Sequence, residues 1–276
     1  MNTFFKDKIV SVTGGSSGMG AELVRQLSAQ GATVIIGARN PVPAESLVAE
    51  LAASGAAVSY TPIDIGKPED CERFFAAIMQ RHGRLDYAFN SAGIIMGGEI
   101  RDHAIEDVQK ILTTNVLGTS YCSFYAYRIM SKQKSGHIIN FSSGAGLFPL
   151  PLMGVYSASK FAITGLSEAL RLEGKSLGVK VSAVTPGLVD TPIYDTGIYS
   201  KTDKAEAKKL LQKSAYMIQP DKAVRKILRG TQRNKPVIFT QWYVYSSWLS
   251  YRIVPAIYRA VVGQLLGPYR KRMRRP

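Results

Sequence analysis

Cysteine is scarce in this sequence, and its scarcity excludes two classes of protein. The 276 residues include 2 cysteines, Cys71 and Cys122. So few cysteines in a chain of this length build no disulfide framework, and neither has metal-ligand spacing. The 3 histidines, His82, His103 and His137, show no ligand spacing either. We expect two buried reduced thiols, histidines that are structural or exposed, and no metal site.

The N-terminus lacks the long apolar run and small-residue cleavage site of a secretory signal. Residues 1–8 lead through charged side chains straight into an apolar strand. The prediction is a cytoplasmic protein, with peripheral membrane contact left open.

Acidic residues are missing from the end of the chain. Residues 240–276 contain seven Lys and Arg and no Asp or Glu, in a protein of net charge +15. Such uneven charge favours an anionic partner, either a membrane surface or a nucleic acid.

Short β-branched runs alternate with longer amphipathic stretches along most of the chain. This alternation predicts a doubly wound parallel sheet of Rossmann type, with helices on both faces and the ligand at the carboxyl ends of the strands. We expect one domain over residues 1–240 and a basic, aromatic-rich helical extension over residues 241–276. The predicted strands are 9–12, 33–36, 58–60, 86–89, 137–141, 179–184 and 236–239, and the first predicted helices are 18–30, 44–53 and 69–81.

A glycine-rich turn joins the first predicted strand to the first predicted helix. Its sequence is Thr13-Gly14-Gly15-Ser16-Ser17-Gly18-Met19-Gly20. Glycine lets a backbone turn tightly and approach a pyrophosphate, and the helix N-terminus offers free N–H groups to phosphates. In this strand–turn–helix context the pattern predicts a dinucleotide site.

Tyr156 and Lys160 are four residues apart at the start of a predicted helix. Residues with this spacing share a helix face, so the two side chains point the same way. A free tyrosine has a pKa of about 10, and a cation within ~4–6 Å can lower it by roughly 1–3 units. We therefore expect Lys160, together with the positive charge of a bound oxidised nicotinamide, to lower the pKa of Tyr156 and make it a usable acid/base.

Together these motifs resemble the short-chain dehydrogenase/reductase family over roughly residues 5–240. The glycine spacing is that family's Gly-x-x-x-Gly-x-Gly, with Thr13 in front. The resemblance implies cofactor contacts in three further segments of the chain. Asp64 and Ile65 would contact the adenine. Asn90, Ala92 and Gly93 belong to Asn90-Ser91-Ala92-Gly93, where Ser91 replaces the family's second Asn. The segment at the nicotinamide carboxamide contributes Pro186, Gly187, Val189 and Thr191.

The resemblance also completes a catalytic set of Asn115, Ser143, Tyr156 and Lys160. It implies that Ser143 binds and polarises the substrate oxygen beside Tyr156, with the neighbouring Ser142 secondary. It implies that Lys160 also orients the cofactor ribose, and that the backbone carbonyl of Asn115 holds a water of a proton relay to Lys160.

The end of the second predicted strand distinguishes NAD from NADP. An acidic residue there would bind the ribose hydroxyls and repel a 2′-phosphate. The chain has Ala38 followed by Arg39. A guanidinium suits a phosphate dianion through its charge and its paired donors, so we expect NADP(H).

Two apolar segments are expected to line the substrate pocket, namely residues 147–153 and the family's substrate lid at 191–216. Their composition favours an apolar, lipid-like or aromatic carbonyl compound or alcohol. Packing in the core or at an oligomer interface is the alternative. A weaker similarity, in the glycine-rich turn and Ala38-Arg39-Asn40, is to 3-ketosphinganine reductases, and steroid and retinoid dehydrogenases share it.

The extension after Thr240 is rich in aromatic residues but contains Arg252, Pro255 and Arg259. Two central arginines cost about 5–7 kcal/mol on insertion scales, which argues against a spanning helix. We expect either a helix at the membrane interface, with both arginines on one face and the final basic cluster on anionic lipid, or a helix packed on its own domain or across a dimer. Truncation after Thr240 is expected to leave cofactor binding intact.

Two functions of different classes remain. The first is an NADP(H)-dependent reductase, and the second is a non-catalytic protein on the same scaffold that senses NADP or binds nucleic acid or membrane. The complete catalytic set counts against the second and makes nucleic acid the less favoured partner. The resemblance further implies a homodimer or homotetramer formed through the helices near 107–131 and 156–175.

Overall fold

A seven-stranded parallel sheet forms the centre of the protein. The computed structural model describes residues 3–264, 266–272 and 274–275. The strand order is β3-β2-β1-β4-β6-β7-β9, and β5 pairs with β8 in a separate two-stranded sheet. The strands are β1 Ile9–Thr13, β2 Thr33–Ala38, β3 Val58–Pro62, β4 Tyr87–Asn90, β5 Met96–Gly97, β6 Gly136–Phe141, β7 Val179–Thr185, β8 Ile198–Tyr199 and β9 Val237–Phe239.

Helices cover both faces of the sheet, which confirms the predicted fold class. On one face α1 and α9 pack over β1 and β2 through Leu23, Leu27 and Ile227. On the other face α3 and α5 pack through Phe74 and Met130. The helices are α1 Gly18–Ser28, α2 Pro41–Ala52, α3 Pro68–His82, α4 Ile105–Leu112, α5 Thr119–Gln133, α6 Gly154–Gly174, α7 Ile193–Thr196, α8 Lys204–Gln212, α9 Pro220–Gln232, α10 Trp242–Ile253, α11 Pro255–Gly263 and α12 Leu266–Arg272.

The strand order reverses between β1 and β4, and this reversal positions the site. Chain connections leave β1 and β4 in opposite directions there, so a crevice opens beyond their carboxyl ends. Both strands pair directly, with Thr13 opposite Asn90 at the end of the ladder. The crevice therefore lies beside the glycine-rich turn.

All seven predicted strands are present, and the differences lie at element ends. Helix α2 begins three residues earlier than predicted, at Pro41. The Asn40 side chain accepts a hydrogen bond of 3.2 Å from the Val42 N–H, and Pro41 is preorganised for the first helical position. The two cysteines are free and buried as expected, with their sulfurs 3.8 Å apart.

The C-terminal extension is helical but is not one helix. Val254 leaves the helical region, with φ −132° and ψ 62°, and α11 starts at Pro255. Proline disfavours a helical residue before it and lacks an N–H. The expectation that Arg252 and Arg259 share one helix face is therefore wrong, because they belong to different helices. In the described part of the chain, no helix is long and apolar enough to cross a bilayer.

Candidate active site

The glycine-rich turn has the geometry of a phosphate cradle. Gly14 has φ +70°, and a Cβ on it would lie 2.7 Å from the backbone of Ala92. Only glycine fits a left-handed position packed this closely. Helix α1 then begins at Gly18, and the Ser17 side chain does not cap it. The first N–H groups of α1 are therefore left to hydrogen-bond an anion, so these residues fit a dinucleotide pyrophosphate.

The loop after β4 closes the other wall of this cradle. The Ser91 hydroxyl donates a 2.6 Å hydrogen bond to the Thr13 carbonyl. Serine at this position therefore ties β4 to β1 despite the departure from the family's asparagine. The Asn90 amide donates to Asn140 at 2.8 Å, which fixes it beneath the cradle. Met19, Ser91 and Gly93 all border the large cavity described below.

The adenosine end of the crevice is formed by the ends of β2 and β3. Arg39 directly follows β2 and is exposed. Asp64 follows β3, and its carboxylate accepts a 3.0 Å hydrogen bond from the Gly66 N–H. Ile65 beside it is buried. The structure therefore brings the predicted adenosine residues to the same edge of the sheet as the glycine-rich turn.

Tyr156 and Lys160 lie side by side on the first turns of α6. The Lys160 ammonium is 5.7 Å from the centre of the Tyr156 ring and donates a 2.9 Å hydrogen bond to the Phe141 carbonyl. Ser143, just after β6, hydrogen-bonds the Tyr156 phenol. Ser142 instead donates to the Lys160 carbonyl at 2.9 Å, so it anchors α6, in line with its expected secondary role.

The expected direction of the Tyr156 pKa shift is wrong. Burial raises the pKa of Tyr156, and the hydrogen bond from Ser143 lowers it only in part. The Lys160 ammonium is engaged by the Phe141 carbonyl rather than by the phenol oxygen. Burial also lowers the pKa of Lys160 to about 8. Tyr156 is therefore protonated at neutral pH, the form that donates a proton.

Asn115 lies in a π-helical turn, Thr113–Gly118, between α4 and α5. Its side-chain amide accepts from the Ile94 N–H at 2.8 Å and donates to the Ile94 carbonyl at 2.9 Å. A Cβ built on Gly93 would lie 3.2 Å from Asn115 Oδ1 and 3.4 Å from Lys160 Nζ, so these two groups border the same glycine. Asn115 and Lys160 thus lie close together, and π-helical turns occur frequently at functional sites, so a relay between the two residues fits this geometry.

A cavity of about 660 Å³ extends from Tyr156, Lys160 and Ser143 toward the C-terminal helices. Both predicted substrate segments line it, and so do α10 and α11, which the sequence did not assign to it. The apolar walls include Phe148, Leu152, Tyr194, Leu211, Tyr243 and Tyr258. The Tyr258 hydroxyl donates a 2.8 Å hydrogen bond to the Pro149 carbonyl, which docks α11 on the segment before α6.

The predicted carboxamide segment is held by two residues of the extension. The buried Gln241 amide accepts from the Gly187 N–H at 2.8 Å and donates to the Leu188 carbonyl at 2.7 Å. The Tyr243 hydroxyl accepts from the Leu188 N–H at 2.6 Å. Sequence analysis missed both residues, and its only signal was a glutamine in an otherwise apolar stretch. These contacts weigh against the expectation that truncation after Thr240 leaves cofactor binding intact.

Val189 and Thr191 continue this segment along the cavity. Val189 bridges to Ile218, and a Cβ on Gly18 would lie 3.2 Å from Thr191, so the carboxamide segment touches the start of α1. The Pro186 carbonyl accepts a 2.8 Å hydrogen bond from the Gly144 N–H, next to Ser143. The carboxamide segment thus joins the start of α1 to the loop that carries Ser143.

The basic tail is ion-paired with its own domain. The pairs are Arg270–Glu99 at 2.8 Å, Arg274–Asp102 at 3.0 Å and Arg275–Asp203 at 2.7 Å. For these three arginines the ion pairs favour the alternative in which the end of the chain packs on its own domain. Their carboxylate partners come from the loop after β5 and from the start of α8, so the tail crosses the edge of the substrate cavity.

The histidines have structural roles where their contacts are defined. Burial lowers the pKa of His137 to about 3, and its ring hydrogen-bonds the Ser182 hydroxyl at 2.8 Å. His103 contacts the Ser200 hydroxyl at 3.0 Å. Among the described residues, no cluster of His, Cys, Asp or Glu could hold a metal.

Comparison with known proteins agrees with this geometry. The short chain dehydrogenase family matches residues 8–198. An uncharacterized oxidoreductase of Staphylococcus aureus is 34% identical over 202 residues, which cover 73% of this chain and 86% of the relative. An uncharacterized oxidoreductase of Staphylococcus epidermidis is 31% identical over 213 residues, covering 77% and 91%.

Solved structures share the fold. A short-chain dehydrogenase/reductase from Burkholderia phymatum in complex with NAD has a TM-score of 0.83 at 23% identity and covers 91% of this chain and 95% of that one. A short-chain dehydrogenase from Sphingobium yanoikuyae in complex with NADPH has a TM-score of 0.76 at 24% identity, covering 94% of each chain. With the sequence match across residues 8–198 and relatives above 30% identity, this chain belongs to the short-chain dehydrogenase/reductase family of nicotinamide-dinucleotide oxidoreductases.

Proposed function

We propose that the protein is an NADP(H)-dependent oxidoreductase that interconverts a carbonyl and a secondary alcohol on an apolar, lipid-like substrate. One observation carries the proposal. Tyr156, Lys160 and Ser143 converge at one end of an apolar cavity that also borders Met19 and Gly93 of the dinucleotide cradle. A substrate carbonyl in this cavity would meet a proton donor and the cofactor together.

In the proposed reduction, the reduced nicotinamide supplies a hydride to the carbonyl carbon when it is bound. The buried, protonated phenol of Tyr156 donates its proton to the carbonyl oxygen, and the Ser143 hydroxyl stabilises charge developing there. Lys160 orients the ribose, and the proton returns to Tyr156 through Lys160 from a water that the backbone carbonyl of Asn115 would hold. Oxidation of the alcohol runs these steps in reverse.

NADP(H) rather than NAD(H) is proposed from the end of β2. Ala38 offers no carboxylate to the ribose hydroxyls, and the exposed Arg39 offers a guanidinium to a 2′-phosphate. The solved relatives include complexes with NAD and with NADPH, so the choice rests on these two residues.

A homodimer or homotetramer is part of the proposal. Large apolar side chains are exposed on the helices named from the family resemblance, among them Leu117, Phe124, Phe161 and Leu172. Exposed large apolar side chains on these helices support an interface there. We also propose a cytoplasmic location with peripheral membrane contact through residues 241–276.

The alternative, a non-catalytic protein that senses NADP or binds nucleic acid, is less well supported. Arg270, Arg274 and Arg275 are engaged by carboxylates of the same chain, which weakens the case for a nucleic-acid partner. A protein that only senses NADP would have no chemical need for Ser143, Tyr156 and Lys160 together.

The test is NADPH oxidation with a panel of ketones of increasing chain length, with Tyr156→Phe as the matched variant. We expect turnover that improves with chain length, and a loss of about 10²–10⁴-fold in Tyr156→Phe with NADPH binding retained. Turnover by Tyr156→Phe within a few-fold of the parent would remove Tyr156 from the acid role. No turnover of any ketone, with NADPH bound, would favour the sensing alternative.

A further inference from the structure

Helices α10 and α11 have an inner and an outer face of different character. The inner face lines the substrate cavity through Tyr243, Val244, Ser247, Tyr258 and Val262. Val244 is fully buried and Tyr258 is 7% exposed. The extension is therefore an integral wall of the site, and its outer face is turned away from the protein.

The outer face is apolar and exposed. Trp242, Tyr245, Leu249 and Ile253 recur at helical spacing along α10, so they share one side of that helix. The exposed side chains of this face continue through the break into α11. In order along the chain they are Trp242, Tyr245, Leu249, Ile253, Val254, Ile257 and Val261.

The charge on this face is of one sign. Arg252 is exposed seven residues after Tyr245 and so borders the outer face of α10, whereas Arg259 is exposed on the other side of α11 from Ile257, and no acidic residue occurs in residues 240–276. Neither arginine pairs with an acidic group among the residues that the structure describes. Aromatic, aliphatic and arginine side chains on one exposed face match the headgroup region of an anionic bilayer.

The mouth of the cavity borders the outer face. Leu210 and Tyr216 line the cavity and are also 39% and 51% exposed, so they stand at its rim. The Tyr216 ring lies 6.3 Å from the ring of Trp242 and 4.9 Å from that of Tyr243. The same aromatic cluster thus belongs to the rim and to the start of the outer face.

We propose that the outer face of α10 and α11 docks on an anionic lipid bilayer, and that the substrate passes from the bilayer into the cavity past Tyr216 and Trp242. The second part rests on the proposed function, and it specifies the substrate as a carbonyl compound with a long aliphatic chain that resides in the membrane. Docking itself needs no catalysis, because the outer-face residues are not those that contact the reacting groups.

Docking is tested with the full chain and vesicles of neutral phosphatidylcholine, with and without anionic phosphatidylglycerol. The test variant is Ile257→Asp, on the outer face in the first turn of α11, where an acidic group is favourable to the helix. The matched control is Val42→Asp. Val42 is 72% exposed, and like Ile257 it lies in the first turn of a helix that begins with a proline.

We expect the parent and Val42→Asp to bind anionic vesicles, less tightly at high salt, and Ile257→Asp to bind at least tenfold more weakly. Equal binding by all three, or by none, would overturn the docking surface. Dissociation of an oligomer by Ile257→Asp, with no vesicle binding by the parent, would overturn it in favour of a second copy of this chain.

The substrate route is tested with one long-chain ketone in vesicles and one short, water-soluble ketone. We expect Ile257→Asp to lose at least tenfold in kcat/KM on the vesicle substrate and to keep parental activity on the soluble ketone. Equal loss on both would overturn the route. Vesicle binding without reduction of either ketone would overturn the proposed function and the route with it, while supporting docking.

Discussion

Replacing Gln241 by leucine tests whether the C-terminal extension supports the cofactor site. Gln241 is 5% exposed and makes two hydrogen bonds to the backbone of the carboxamide segment, at Gly187 and Leu188. Leucine has nearly the same size and offers neither a donor nor an acceptor. The substitution therefore removes two backbone contacts with little change in packing volume.

Each buried backbone group left without a partner costs about 1–3 kcal/mol. Taking about 1–1.5 kcal/mol for each of the two groups, the lower end of that range, gives a loss of about 2–3 kcal/mol. At 1.4 kcal/mol per factor of ten, this corresponds to roughly 30- to 150-fold in NADPH affinity if the whole loss falls on the bound state. If the loss instead falls partly on the stability of the fold, that part appears as a decrease of several degrees in Tm, since about 1 kcal/mol shifts Tm by ~2–4 °C for a protein of this size.

The assay is calorimetric titration of NADPH together with thermal unfolding. Gln109→Leu, at an exposed position on α4, is the matched control, and we expect it to leave both quantities unchanged. A twofold or smaller change in NADPH Kd for Gln241→Leu, with Tm unchanged, would refute the argument. A lower Tm with unchanged Kd would show that these contacts stabilise the fold without shaping the cofactor site.

Three further predictions concern charge. Arg39→Asp should shift the kcat/KM ratio for NADPH over NADH by roughly 10- to 100-fold toward NADH, because charge-assisted bonds to the 2′-phosphate are worth about 1.5–3 kcal/mol; an unmoved ratio would exclude Arg39 as the phosphate ligand. Burial lowers the pKa of Lys160 to about 8, so its positive charge is present below that pH and lost above it, and kcat/KM for reduction should fall above pH ~8. A flat profile to pH ~10 would contradict a role for the charged form. Arg274→Ala should make the loop at residues 99–103 more accessible to protease, because Asp102 loses the ion pair that holds this loop and also lowers its carboxyl pKa. Unchanged cleavage kinetics would show that the Arg274–Asp102 pair does not hold the loop.

Interactions between residues close in sequence could be predicted from the sequence. The glycine-rich turn and the start of α1 are consecutive, and Tyr156 and Lys160 are one helical turn apart, so local geometry alone puts them together. Hydrophobic periodicity also predicted each strand of the main sheet, because a parallel strand covered on both faces is a continuous apolar run. The element ends were less certain because side-chain caps such as Asn40 determine them.

Three features of the site depend on residues that are far apart in the chain, and only the tertiary structure determined them. The direction of the Tyr156 pKa shift follows from its burial, a property of the packed fold rather than of the spacing to Lys160. Gln241 reaches Gly187 across 54 residues, and Arg274 reaches Asp102 across 172. Such contacts leave no periodic pattern in the sequence, since they depend on how separate elements dock. The sequence by itself therefore determined the family, the parallel sheet and the candidate catalytic residues, whereas docking of α10, α11 and the tail decided what surrounds them, because burial and long-range pairing exist only in the folded chain.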